Sequence, residues 1–242
     1  MTAVRVLVVA EGPSEIGRLD QVGRSGATCE GYLPPMVRKL LGPDVPVKID
    51  AQRVTSLGRF EKKPKLAGHG DRAAKALAIA ATSDYALLVF VKDVDRTPGK
   101  AKSARERRKR LADIQQQIDA GFDAVESADH VLRAKATPCR MIEAWALGDA
   151  AAIAEVGRQT ASLLDVPSKP EEAWGDEADP GSKHPKCTLH RALGRSANAT
   201  LFEEIATASD PTRLRKTCPE SFAPFAKEME RAGDKLQRKL RR

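Results

Sequence analysis

The sequence predicts an α/β fold with a parallel core sheet flanked by helices, and three observations predict it. Two apolar runs of strand length, Val6-Leu7-Val8-Val9-Ala10 and Leu87-Leu88-Val89-Phe90-Val91, contain no polar residue, and such continuity implies burial on both faces of a sheet. Segments with helical spacing alternate with these strand-like segments, as in a sheet covered by crossover helices. The chain has 242 residues, 41% apolar and 31% charged. That is enough for one substantial core with a smaller appendage, and it excludes wholesale disorder.

In chain order, residues 4–10 form the first expected strand. Residues 32–41 read as a helix with Val37, Leu40 and Leu41 on a short apolar face, and a second strand falls at about 45–54. An alanine-rich helix over 69–82 opens at His69-Gly70-Asp71 and leads to the strand at 85–91. Thr97-Pro98-Gly99 then breaks the chain before a basic helix, in which Leu111, Ile114 and Ile118 share a face and Gly121 marks the stop. Residues 130–136 supply the fourth strand. One further helix is expected from 141 to 156, where Ile142, Trp145, Ile153 and Val156 keep helical spacing across the polar Asp149.

The stretch 167–186, rich in Pro, Gly, Lys and acids, reads as a long surface loop. Helices resume beyond it. The last runs from Ser221 towards the terminus with Phe222, Phe225, Met229, Ala232, Leu236 and Leu240 on one side and basic residues on the other. The expected division is an α/β core over 1–160 and, over 161–242, a loop plus a basic helical extension packed on it.

The net charge of +8 favours a polyanionic partner, because clustered Lys and Arg gain affinity for phosphates by releasing condensed counterions. The charge is uneven: nine Lys or Arg stand against three acids between Lys92 and Arg110, and ten against four between Arg213 and Arg242. A solvated helix face explains either stretch taken alone. The segment Lys100, Lys102, Arg105, Arg107, Arg108, Lys109 and Arg110 is the candidate guide for nucleic acid, since it directly follows an acidic pair. No apolar run reaches the length of a membrane span, so a cytoplasmic protein without a membrane partner is expected. Cys29, Cys139, Cys187 and Cys218 are widely spaced and form no C-x-x-C pair, which indicates free thiols.

The acids at the strand ends carry the chemistry. In open α/β sheets ligands sit outside the carboxyl ends of the strands, and there the chain places Glu11 after the first strand and Asp93 and Asp95 after the third. With one residue between them, the two aspartates point the same way in extended chain, about 7 Å apart at their α-carbons. They repel unless a cation lies between them or Lys92 and Arg96 neutralise them. Mg²⁺ suits the pair because it takes oxygen ligands and keeps several waters, and Glu11 is expected to join the two aspartates as a ligand in one shared metal crevice if the two strands are neighbours. Glu15 lies three residues beyond Gly12, with Pro13 between, which also makes it the N3 glutamate that satisfies a helix start. Glu143 stands at another helix start, where negative charge is tolerated. Lys186, in His184-Pro185-Lys186, is the candidate cation for a phosphate.

The ordered motifs Val-Val-Ala-Glu-Gly-Pro-Ser-Glu, Val-Lys-Asp-Val-Asp and Met-Ile-Glu-Ala-Trp-Ala-Leu-Gly-Asp, over roughly residues 4–193, resemble the DUF4276 group of TOPRIM-like proteins, which are similar to the nuclease domains of the OLD family. The resemblance implies a TOPRIM-like, Rossmann-like core. It gives Glu11 acid–base work, gives Asp93 and Asp95 the binding of Mg²⁺ (or Mn²⁺), and makes Glu15 and Glu143 candidates for a second metal, with Lys186 as the basic residue. It further implies phosphodiester cleavage of nucleic acid in bacterial antiphage defence, with an ATPase partner. Two other readings stay open: a non-catalytic module that binds nucleic acid or protein, and a haloacid-dehalogenase-like phosphatase, since Asp93-Val94-Asp95-Arg96-Thr97 fits D-x-D-x-T, although that motif should close the first core strand and no G-D-x-x-x-D motif follows. A nucleotide-sugar transferase can also place D-x-D after a strand but gives no reason for Glu11-Gly12-Pro13-Ser14-Glu15.

Overall fold

Four strands, β1 (Val4–Ala10), β2 (Val47–Arg53), β3 (Leu87–Val91) and β4 (Leu132–Ala136), pair in parallel in the order β2-β1-β3-β4. The computed structural model describes residues 3–18, 29–58, 60, 66, 68–94, 103–161 and 164–241. All five residues of β3 are buried, as an interior strand covered on both faces requires. The pairing sets Val9 beside Phe90 and Leu87 beside Leu132, so the carboxyl ends of β1, β3 and β4 lie level with one another.

The pleat sorts the strand residues into two cores. Leu7, Val9, Leu88 and Phe90 face α3 (Gly68–Thr82) and α4 (Ala104–Asp123). Val4, Val6, Val8, Ala10, Leu87, Val89 and Val91 face the larger opposite core. Its helices are α1 (Pro13–Ile16), α2 (Leu33–Leu41), α5 (Ile142–Ala146), α6 (Ala150–Gly157), α7 (Pro185–Leu193), α8 (Ala199–Ala208), α9 (Pro211–Thr217) and α10 (Phe222–Leu240). The helices after residue 161 thus share one apolar interior with the sheet. Trp145 of α5 joins the two parts, with its ring 5.1 Å from Phe222 and stacked 5.4 Å from Phe225.

Three local expectations are corrected. The helix expected to stop at Gly121 continues to Asp123. Gly121 instead makes the crossing of α4 with α3 possible, since a Cβ there would stand 2.2 Å from the carbonyl oxygen of Gly70. The single helix expected over 141–156 is two, because Asp149 is an N-cap. Its Oδ1 accepts from the N–H groups of Ala151 and Ala152 at 3.1 and 3.2 Å, and the same carboxylate accepts from Asp210 N at 2.8 Å and Arg213 Nε at 2.9 Å. Those bonds to α9 and its cap hold the break open.

The third correction concerns the stretch 167–186, which is not only surface. It carries a 3-10 turn, Pro170–Glu172, and Glu171 is buried against the start of α10. The Glu171 carboxylate accepts from the backbone N–H of Glu220 at 2.8 Å and of Ser221 at 2.7 Å, and from the Ser221 hydroxyl. This is an N-terminal cap delivered from a distant loop, where free N–H groups and the helix dipole both favour an anion. Glu171→Ala is expected to cost about 2 kcal/mol by urea denaturation, because it strands buried donors. An unchanged midpoint would show that water replaces the carboxylate without loss.

Among the described residues no helix is long and apolar enough to cross a membrane. Cys139 and Cys218 are buried and Cys29 and Cys187 half-buried, all as free thiols.

Candidate functional site

The level carboxyl ends of β1 and β3 bring acidic residues together. After β1 the chain turns at extended Gly12, enters α1 through Pro13 at its first position, and places Glu15 with 4% of its surface exposed. Burial, helped by the charges of Glu143 and Glu11, pushes the Glu15 carboxyl up to about 7, while the backbone N–H groups of Glu15 and Gly12 pull it down. Glu15 therefore both caps its helix and belongs to the site.

Beyond β3 the chain stays zipped to the segment after β4: Lys92 N donates to Ala136 O at 2.9 Å and Val94 N to Pro138 O at 3.1 Å. That pairing fixes Asp93 at 7% exposure. Its Oδ1 is buried and has no hydrogen-bond partner among the described residues. Burial foremost, then Glu15, Glu11 and Glu143, pushes the Asp93 carboxyl well above the usual range, and Lys92 opposes them. Glu143, in the first turn of α5, is 7% exposed. A buried carboxylate without a partner is costly, so the group takes up a proton or a cation.

Glu15, Asp93 and Glu143 line a cavity of about 440 Å³ whose other walls include Trp174, His184 and Lys186. Before α5, Arg140 adopts a left-handed backbone with φ of +72°, a strained conformation for a non-glycine residue. Its buried guanidinium lies 4.7 Å from the centroid of the Trp174 ring, and Trp174 in turn packs 5.0 Å from the His184 ring. The loop expected to lie on the surface thus roofs the acidic cavity. Lys186, in the first turn of α7, ion-pairs with Glu177 at 2.8 Å.

Glu11 stands apart from this cavity. Continuing the register of Val9 beside Phe90 sets Glu11 beside Lys92, and the alternation that puts Val9 and Phe90 towards α3 and α4 puts both side chains on that side. They form an ion pair. Lys92, which the sequence offered as a neutraliser of the aspartates, thus binds the glutamate of the neighbouring strand. Asp93 follows Val91 onto the other face. Glu11 still acts on Asp93 and Glu15 through its charge. Among the described residues no three His, Cys, Asp or Glu side chains form a metal-holding group.

Asp95, Lys100 and Lys102 lie outside the described residues. In the rest of the basic segment, Ser103 and Glu106 form a reciprocal capping box that starts α4, after which Arg105, Arg108 and Lys109 are exposed. Arg107 is not part of that face: it is 3% exposed, and its Nε bonds Glu220 at 3.1 Å. Arg110 is half-buried and donates to the Val94 carbonyl at 2.7 Å, tying α4 to the chain that carries Asp93.

His184 was missed in the sequence. It is 1% exposed, and its Nδ1 is buried without a hydrogen-bond partner among the described residues. Burial lowers its pKa, which keeps the imidazole neutral and able to accept a proton. The only signal was the His-Pro pair at the start of α7, which reads as helix entry. Comparisons with protein-family models, with curated proteins and with solved structures give no match.

Proposed function

We propose that the chain is a divalent-metal-dependent nuclease that cleaves phosphodiester bonds in nucleic acid at the cavity of Glu15, Asp93 and Glu143. The observation that carries this reading is the set of three buried carboxylates, one with an oxygen that no described protein group satisfies. The donors are all oxygen, which suits Mg²⁺ or Mn²⁺, and Mg²⁺ needs only one or two carboxylates when water and substrate phosphate complete its shell. Asp93 and Glu15 are the residues to hold it, with Glu143 beside them and Asp95 two positions along the same chain.

Bound there, the ion supplies Lewis-acid polarisation of the phosphate and a more acidic water. The remaining work falls to protein side chains. Lys186 at the cavity wall pairs with a phosphate oxygen once it leaves Glu177, and neutral His184 takes a proton from the attacking water or returns one to the leaving oxygen. Glu11, held by Lys92, sets the local field. The exposed Arg105, Arg108 and Lys109 attract the polyanion from outside. Replacing those three with Gln is expected to weaken nucleic-acid binding and to flatten its dependence on log salt by about 2 to 3; an unchanged slope would assign their charge to solubility.

The parallel sheet with acids at the ends of neighbouring strands is compatible with the TOPRIM-like core that the motifs resemble. The same resemblance is the basis for including an ATPase partner and a role in antiphage defence. A second reading, a non-catalytic binding module, is favoured by one observation: Glu11 is already engaged by Lys92. The separating experiment is cleavage of single- and double-stranded DNA and RNA by wild type and by Glu11→Ala, Asp93→Ala and Asp95→Ala, with Mg²⁺, Mn²⁺ or EDTA and with any neighbouring ATPase added. Metal-dependent cleavage lost in the aspartate variants supports the nuclease. Cleavage that survives EDTA overturns it, and inactivity with intact nucleic-acid binding leaves the binding module.

A further inference from the structure

A second cavity, of about 450 Å³, adjoins the acidic one, and the two share Ser14, Glu143, Glu177 and Lys186 as common walls. The far side of the second cavity is different in kind. It is formed by Pro180, Leu189, Ala197 and Phe202, with His190 and Ser196 as its polar edge. Its volume lies in the range of small-ligand sites. His190 Nδ1 and the Ser196 hydroxyl are 3.2 Å apart and already bond one another.

We infer that this second cavity is a nucleobase subsite, which receives the base of the nucleotide whose phosphate lies at Lys186. The inference rests on the phosphodiester reading of the acidic cavity, and three observations select its occupant. The first is continuity: a group filling the second cavity is joined, past the Glu177–Lys186 pair at 2.8 Å, to whatever group sits among Glu15, Asp93 and Glu143. The second is charge. Among the described lining residues Lys186 is the one Lys or Arg against two acids, Glu143 and Glu177, so a second phosphate is repelled and a neutral group is accepted. The third is surface character: apolar walls with a hydrogen-bonding edge match a flat heteroaromatic ring, which buries its faces and pairs its rim.

A base can enter such a pocket only when it is unstacked and unpaired. The substrate class that follows is single-stranded nucleic acid or a frayed strand end. Lys186 stands at the partition, where a bound phosphate competes with Glu177 for it, so occupancy of the two cavities is coupled through one side chain.

The test uses the full chain with Ca²⁺ or Mg²⁺ present and calorimetric titration of three probes: adenosine 5′-monophosphate, thymidine 5′-monophosphate and ribose 5-phosphate. Ser196→Trp fills the mouth of the pocket from an exposed position, and Cys187→Phe, on α7, is the second pocket variant, in case the first disturbs the turn between α7 and α8. The expected result is at least about tenfold tighter binding of a nucleotide than of ribose 5-phosphate. Both pocket variants abolish that preference while ribose 5-phosphate still binds, and single-stranded oligonucleotides compete at least about tenfold better than duplex. Equal affinity for nucleotide and sugar phosphate, with binding lost in Asp93→Asn, overturns the subsite and leaves the phosphodiester reading standing. Base-dependent binding without cleavage under any condition supports the subsite and removes the nuclease. Binding of none of the probes overturns the subsite.

Discussion

Asp93→Asn is expected to abolish metal-dependent cleavage while making the metal-free protein more stable. The two effects have one cause. Asn keeps the shape of Asp but cannot ionise, so it removes the charge that is buried among Glu15, Glu11 and Glu143 and with it the repulsion that the fold sustains without a cation. The gain is expected at pH 8, where the wild-type carboxyl must either hold a proton above its ordinary range or bury a charge, and it shrinks as pH falls. The loss of activity is at least about 10³-fold, or about 4 kcal/mol of transition-state stabilisation. Thermal denaturation in EDTA and initial cleavage rates in Mg²⁺ measure the pair. A metal-free variant less stable than wild type would mean that Asp93 is a structural hydrogen-bond acceptor rather than part of a binding site.

The second large effect is a pH dependence with the opposite sign to that of an ion-paired carboxylate. Burial raises Glu15 from an ordinary value of 4.5 to about 7 in the folded chain, so between those values the folded state holds a proton that the unfolded state has released. Stability from this group is complete below pH 4.5 and is lost as pH rises through 7. The loss is about 3 kcal/mol between pH 4.5 and 8 in metal-free protein. Asp93 shifts in the same direction and adds to the slope. Glu15→Gln, which keeps the helix cap, is expected to remove most of the slope, and saturating Mg²⁺ to reduce it in wild type because the ion binds the ionised form. Urea titrations of both proteins at several pH values give the difference directly. Identical pH profiles would place the Glu15 carboxyl in water.

The parts of the fold legible in the sequence are those set by local periodicity. β1 falls at 4–10 as expected, because an apolar run closed by Glu11-Gly12-Pro13 has one reading, and β3 ends at Val91 as expected but starts at Leu87, two residues inside the expected 85–91. The features that escaped are tertiary. Asp149 lies on a helical period and reads as a tolerated polar residue until α9 presents Arg213 and the Asp210 N–H to it. Gly121 reads as a stop until Gly70 is seen against it. Glu171 reads as loop acid, since nothing near it in sequence reveals that the start of α10 lies within reach.

The candidate site was legible in kind more than in arrangement. Strand-end position predicted a neighbourhood for Glu11 and Asp93, and β1 and β3 are adjacent. Pleat parity then divides them, because Val9 and Phe90 share one face whereas Val91, and Asp93 after it, take the other. Register also decides that Lys92 meets Glu11. Trp174 and His184 come from a stretch without periodicity, so no local pattern places them over the acids.

The most direct test of the central claim, that the buried carboxylates form a divalent-metal site, is calorimetric titration of Mg²⁺ into wild type and Asp93→Asn at pH 7 in two buffers of different ionisation enthalpy. Saturable binding is expected in wild type, with proton release that makes the heat depend on the buffer, because Asp93 and Glu15 give up protons to the ion. In Asp93→Asn the heat is expected to vanish. No saturable heat in wild type, or the same isotherm in both proteins, would contradict the account.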